Sequence, residues 1–154
     1  KIINFKEYFH FMSRLLTELE ENIFDFIEQR GNVRTREIAE EFGEGEYDIS
    51  VPTNMFIACG FSYEVKIALR NLINRGIVFY IPDTELIESY DPATSIAELI
   101  YEVPRTGYVQ PFYLPCRLYT FDSAYDYVRE NFTDPDQKNL MLLFMHEKKQ
   151  AGCD

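Results

Sequence analysis

The sequence predicts an α+β fold in which helix predominates, and three observations carry that prediction. Apolar residues recur at steps of three and four through several long segments, the spacing of a single helical stripe. Glycines 31, 43 and 76 each stand just past such a stripe, where a helix commonly ends in a left-handed residue. The run Ile77-Val78-Phe79-Tyr80-Ile81, by contrast, is β-branched and aromatic and has the composition of a strand. With 46% hydrophobic and 16% aromatic residues among 154, the chain can fill one core, or a small domain with an appendage.

The first predicted element is a long N-terminal helix. Phe5, Tyr8, Phe9, Met12, Leu15, Leu16, Leu19, Ile23, Phe26 and Ile27 form its stripe, Asn4 caps it, and Glu7 completes a capping box. The pattern fits one helix from Phe5 to Arg30, or two meeting near Ser13. Asn32-Val33-Arg34 follows as a short extended piece. Thr35 then caps a helix over Arg36–Phe42 that buries Ile38, Ala39 and Phe42 and ends at Gly43.

From Glu44 to Gly60 the character is mixed. Residues 44–48 read as a polar loop, Ser50-Val51-Pro52 as the start of a helix, and Met55 to Ala58 as its apolar body, stopped by Gly60. Ser62 caps the next helix, Tyr63 to Arg75, with Val65, Ala68, Leu69, Leu72 and Ile73 inward and Gly76 closing it. The strand Ile77–Ile81 and a turn at Pro82-Asp83-Thr84 make Glu85–Tyr90 its nearest hairpin partner.

The back half contains two Asp-Pro starts, at Asp91-Pro92 and Asp134-Pro135, each with Asp as N-cap and Pro as the first helical residue. The second leads a helix over Asp136–Gln150, although Leu140–Met145 taken alone also suits a buried strand. Leu and Met content, the caps, and Lys148 and Lys149 near the negative end of the dipole favour helix. Between the two, Gly107–Thr120 holds Pro111 and Pro115 and is extended or irregular, and Asp122 caps a short helix over Ser123–Asn131.

A helix, a short extended segment, two further helices and a hairpin make an order that resembles the winged helix-turn-helix superfamily. The residues carrying it are Thr35-Arg36-Glu37-Ile38-Ala39-Glu40-Glu41-Phe42-Gly43 and Val65-Lys66-Ile67-Ala68-Leu69-Arg70-Asn71-Leu72-Ile73-Asn74-Arg75-Gly76-Ile77-Val78. The likeness implies a winged domain over residues 1–90 and a C-terminal helical extension over 91–154. One departure stands out: the family joins its second and third helices by a tight turn, whereas here Gly43 to Ser62 intervenes. That stretch is long enough for an extra short helix. It is either an insertion or a sign that a different helix is the second.

The resemblance implies a dimeric regulator that binds duplex DNA. Tyr63–Arg75 would lie in a major groove, presenting Tyr63, Lys66, Ile67, Arg70, Asn71 and Asn74 to base edges and phosphates. Arg34 and Arg36 would meet phosphates. Phe5, Tyr8, Phe9, Met12 and Leu16 are the candidate homodimer surface, with the helix Asp136–Gln150 a second one. The wing suits this task poorly, since a phosphate backbone repels Asp83, Glu85 and Glu88.

Charge opposes the DNA reading. The net charge is −11, and phosphate neutralisation supplies most non-specific affinity for DNA. Only Gly60–Tyr80 is locally positive, with Lys66, Arg70 and Arg75 against Glu64. A winged module that binds a basic protein partner is therefore the alternative function.

Chemistry is sparse. His10 and His146 are the only histidines, and Cys59, Cys116 and Cys153 show no metal-ligand spacing, so neither a metal nor another cofactor is expected. Pro135-Asp136 followed by Glu147-Lys148-Lys149 has the form of a restriction-type nuclease motif, in which carboxylates hold a divalent metal. That motif needs a hairpin, and residues 139–146 lack turn residues. No apolar run approaches the roughly 20 residues that span a bilayer, and no secretory signal is visible. Unpaired thiols suit a reducing, cytoplasmic setting.

Overall fold

The computed structural model of the chain describes residues 16–50, 55–83, 85, 98–99 and 112–153. It is an α+β chain, with five helices among the described residues: α1 (Glu18–Arg30), α2 (Thr35–Phe42), α3 (Tyr63–Asn74), α4 (Phe121–Asn131) and α5 (Pro135–Cys153). The strands are β1 (Asn32–Arg34), β2 (Glu44–Ser50), β3 (Met55–Phe61), β4 (Val78–Pro82), β5 (Glu98–Leu99), β6 (Phe112–Tyr113) and β7 (Cys116–Thr120).

The chain divides into two compact units, 1–32, 68–79 and 119–154 forming one, 33–67 and 80–118 the other. In the first, α1 buries Ile23, Phe24 and Ile27, α3 buries Ala68, Leu69 and Leu72, and α4 buries Ala124 and Val128. In the second, Ile38 and Ala39 of α2 are buried, as are Ile49 of β2 and Ile57, Ala58 and Phe61 of β3. Each large apolar side chain so removed from water contributes about 1.5–3 kcal/mol before chain entropy is set against it.

Helix α1 starts later than the aromatic stripe suggests. Thr17 is extended, and its hydroxyl accepts from the Glu20 N–H at 3.1 Å while the Glu20 carboxylate accepts from the Thr17 N–H at 3.3 Å. This reciprocal box satisfies two otherwise orphaned donors and sets the helix boundary. A single helix from Phe5 to Arg30 is thereby excluded, because Thr17 interrupts it. Phe5, Tyr8, Phe9 and Met12 lie outside the described residues, and Leu16 is half-buried just before the cap.

The later caps follow the same physics. Arg34 donates its N–H to the Glu37 carboxylate at 2.7 Å ahead of α2, so Thr35 is the first helical residue rather than the cap. Thr120 donates its N–H to the Ser123 hydroxyl ahead of α4, so the cap lies two residues earlier than Asp122 suggested. Asp134 caps α5 as expected, accepting from the Asp136 N–H at 2.9 Å. At the end of α3, Gly76 at φ 70° donates to the Ile73 carbonyl and Ile77 donates to the Leu72 carbonyl. That pair of bonds is a Schellman motif, which needs the left-handed residue glycine accepts without a Cβ penalty.

Among the described residues between α2 and α3 there is no extra helix. Instead β2 and β3 pair antiparallel, with Ile49 opposite Ala58 and Ser50 opposite Phe56. Phe61 stands opposite both Glu44 and Tyr47, so the ladder is irregular at this end. Gly45 sits in that irregularity. A Cβ there would lie 2.7 Å from the Phe61 carbonyl oxygen, which makes this a close backbone approach that a side chain would block.

The strand β4 also pairs differently from the local reading. Its neighbour is β7, in a three-stranded sheet of order β1-β7-β4, and Glu85, the one described residue of the expected return strand, is helical. The chain between β4 and β7 is an excursion whose β5 and β6 join the hairpin in a second sheet, of order β2-β3-β6-β5. There β6 runs parallel to β3, Met55 opposite Phe112 and Phe56 opposite Tyr113, and Leu114 donates its N–H to the Phe56 carbonyl. At the base of the excursion, Asp83 donates its N–H to the Pro115 carbonyl at 2.9 Å and its carboxylate meets the Arg117 guanidinium at 2.6 Å.

Candidate functional site

Two outward surfaces compete for the role of a binding face: the exposed side of α3, and the hairpin that precedes it. Helix α3 turns Val65, Ala68, Leu69 and Leu72 inward, so the helical period leaves Tyr63, Arg70, Asn71 and Asn74 exposed and Lys66 and Ile67 half-buried. All six residues expected on the outward face of this helix therefore reach the surface at least in part. Ser62 accepts from the Val65 N–H through its hydroxyl, a long bond of 3.4 Å.

The N-terminal turn of α3 is not bare. Tyr47, from β2, meets Tyr63 edge to face with ring centroids 5.3 Å apart, and the Lys66 ammonium lies 5.7 Å from the Tyr47 ring centroid. An aromatic pair of this kind contributes about 0.5–1.5 kcal/mol beyond its buried area, and an exposed cation–π contact about 0.5–1 kcal/mol. Both tyrosines remain open to solvent, Tyr47 at 46% and Tyr63 at 54%.

The arginines expected to meet phosphate have other company. Arg36 lies 2.6 Å from the Glu44 carboxylate and 3.4 Å from that of Glu40, with more than half of each side chain exposed. Such surface pairs contribute about 0–1 kcal/mol, but they cancel local charge whatever their strength. Arg34 is exposed, on β1. Between residues 33 and 67 the sequence carries seven acidic side chains (Glu37, Glu40, Glu41, Glu44, Glu46, Asp48, Glu64) against three basic ones (Arg34, Arg36, Lys66).

The hairpin has its own polar organisation. The Asp48 carboxylate accepts from the Gly60 N–H at 3.1 Å, bracing β2 against β3. Desolvation first, then the charge of Asp48 and a hydrogen bond to it, push the Cys59 thiol up from its ordinary value. Cys116 is fully buried, with its thiol donating to the Leu114 carbonyl at 3.1 Å. Burial, with Asp83 second, pushes it up to about 12. Raised thiols are poor nucleophiles at neutral pH.

The nuclease-like residues are not brought together. Asp136 and Glu147 lie on the single helix α5, which holds them about 16 Å apart at 1.5 Å per residue. Among the described residues, no group of three His, Cys, Asp or Glu side chains is placed to hold a metal ion. Nor is any helix of the described residues long and apolar enough to cross a membrane.

Sequence reasoning missed Glu44, Glu46, Tyr47 and Asp48 as surface-forming residues because it treated them as a loop. Of β2 only Ile49 is buried, so the alternation that reveals a strand is absent. The available signal was the apolar run Met55–Cys59 ahead of Gly60, which suits a buried strand as well as a helical segment. No family model, curated protein or solved structure matches the chain.

Proposed function

We propose that this chain is a protein-docking module on a winged-helix-like scaffold, and that the surface formed by α2, the β2–β3 hairpin and the first turn of α3 receives a basic partner. With the hairpin and the excursion between β4 and β7 set aside, the chain runs helix, strand, helix, helix and two paired strands. That order supports the winged-helix reading, with one insertion in the helix-turn-helix and another in the wing.

The observation that carries the function is the position of the first insertion. A recognition helix meets base edges with its N-terminal residues. Here the hairpin sets Tyr47 on Tyr63 and Lys66 at that end, and its strand β2 carries exposed Glu46 and, paired to Arg36, exposed Glu44. Phosphates are repelled by such a surface, whereas lysine- or arginine-rich segments are steered toward it. Exposed tyrosines also suit stacking by guanidinium groups.

A second reading, a duplex DNA regulator, is favoured by one feature: Arg70, Asn71 and Asn74 are all exposed on the later turns of α3. Both side-chain types pair bidentately with purines.

Fluorescence anisotropy separates the two. A labelled arginine-rich peptide and a labelled mixed-sequence duplex are each titrated with the protein from low to physiological salt. The docking reading predicts saturable, salt-sensitive binding of the peptide, lost in the Glu44→Lys/Glu46→Lys variant, and no binding of the duplex. Duplex binding that Lys66→Ala/Arg70→Ala weakens, with no affinity for the peptide, would establish the DNA reading instead.

A further inference from the structure

The docking surface already holds a cation, and it belongs to the chain itself. Lys66 follows Tyr63 by three positions, which puts both on one face of α3, and Tyr47 of β2 meets both of them. The Lys66 ammonium stands over the Tyr47 ring, 5.7 Å from its centroid, inside the roughly 6 Å reach of a cation–π contact. Lys66 is half-buried, whereas Arg70, one turn further along, is exposed. Among the described residues Lys66 forms no salt bridge, although residues 33–67 carry seven carboxylates. Its described partner is the ring.

We infer that Lys66 is a built-in competitor for the basic partner: it covers the Tyr47 ring in the free protein and leaves when a partner's arginine stacks there. This rests on the docking reading and gives that surface its selectivity. A tethered ammonium stands at an effective concentration that a free lysine side chain does not reach. A partner lysine exchanges one ammonium for another and gains nothing at the ring. A guanidinium is planar and more weakly hydrated, and it stacks on an aromatic face as well as attracting it through charge. Arginine therefore displaces Lys66 where lysine does not. Charge alone gives no such choice, because the two side chains carry the same charge. The segment received is arginine-bearing rather than merely basic.

The test is fluorescence anisotropy at physiological salt, with labelled peptides of alternating arginine and serine and of alternating lysine and serine. Circular dichroism of every variant confirms unchanged secondary structure. The wild type binds the arginine peptide more tightly than the lysine peptide. Lys66→Met keeps the stem and removes the ammonium, and it binds the arginine peptide about two- to fivefold more tightly, the worth of one exposed cation–π contact. Lys66→Arg conserves the charge but sets a better-stacking group over the ring, and it binds the arginine peptide more weakly than the wild type. Arg70→Met removes an equal charge away from the ring, and salt screening holds its effect below about twofold. In a Tyr47→Leu background the contact is gone, so Lys66→Arg changes nothing and Lys66→Met no more than Arg70→Met.

Equal effects of Lys66→Met and Arg70→Met would reduce Lys66 to one more surface charge and overturn the inference. A Lys66→Arg variant that binds as tightly as the wild type would also overturn it, as would a wild type that binds the two peptides equally. Failure of both peptides to bind the wild type and every variant is a distinct result: it overturns the docking reading, and the competitor falls with it.

Discussion

Replacing Arg117 by Met is predicted to destabilise the protein far more than the same replacement at Arg36, although both arginines make a 2.6 Å contact with a carboxylate. The difference lies in burial. Asp83 has a side chain only 4% exposed and Arg117 one 28% exposed, whereas Arg36 and Glu44 stand at 56% and 54%. Deleting one partner of a buried pair leaves an uncompensated charge, at a cost of about 3–5 kcal/mol. Arg117 keeps some contact with water, and Asp83 also accepts from the Glu85 N–H at 3.0 Å, so the lower end, about 3 kcal/mol, applies. For Arg36→Met the corresponding loss is below about 1 kcal/mol. The double replacement Asp83→Asn/Arg117→Met should recover part of the loss, because no charge is then stranded. Urea unfolding measures each value, and an unchanged denaturant slope confirms that the native state alone was altered. If Arg117→Met unfolds within about 0.5 kcal/mol of the wild type, a size typical of neutral surface substitutions, the Asp83–Arg117 clasp does not hold the base of the excursion and the reasoning fails.

Two other perturbations follow from the hairpin and the thiols. Gly45→Ala places a Cβ 2.7 Å from the Phe61 carbonyl oxygen; overpacking of that kind costs about 1–3 kcal/mol. It should loosen β2 from β3, read as faster amide exchange at Gly60 and Phe61, and unchanged exchange there would argue against the close approach. The Cys116 thiol, held protonated up to about 12, binds its proton more tightly in the folded than in the unfolded chain. Its contribution is therefore complete below the unfolded value near 9 and is lost as pH rises from about 9 toward 12. Cys116→Ala should flatten that decline in a urea midpoint series run above pH 9, and an identical decline in both proteins would assign it to other groups.

The five described helices were legible because each is bounded by local chemistry, whereas the helix expected after Asp91-Pro92 was wrong at residues 98–99, which are strand β5. Gly76 with Ile77, Asp134 with Pro135, and the inward series Val65–Ala68–Leu69–Leu72 all act within a few residues of one another. The strand pairings were not legible, for three separate reasons. In β2, residues 44–47 are exposed on both faces, so no alternation marks them. The run Met55–Phe61 is continuously apolar, and periodicity alone does not distinguish a buried strand from a helical segment. Strand β4 bonds to β7, which follows only after the long excursion, and turn chemistry at Pro82-Asp83-Thr84 pointed instead to the nearest following residues. The exposed residues of α3 were readable from helical period, but Tyr47 and the acidic groups beside it were not, since their place depends on the hairpin.

The central claim is that the hairpin and the first turn of α3, rather than the later turns of α3, form the binding face. Amide chemical-shift mapping with an arginine-rich peptide and with duplex DNA tests it most directly. The account predicts peptide-induced shifts at Gly45, Glu46, Tyr47, Gly60 and Tyr63 and none with the duplex. Shifts confined to Arg70, Asn71 and Asn74, produced by the duplex and not by the peptide, would contradict it.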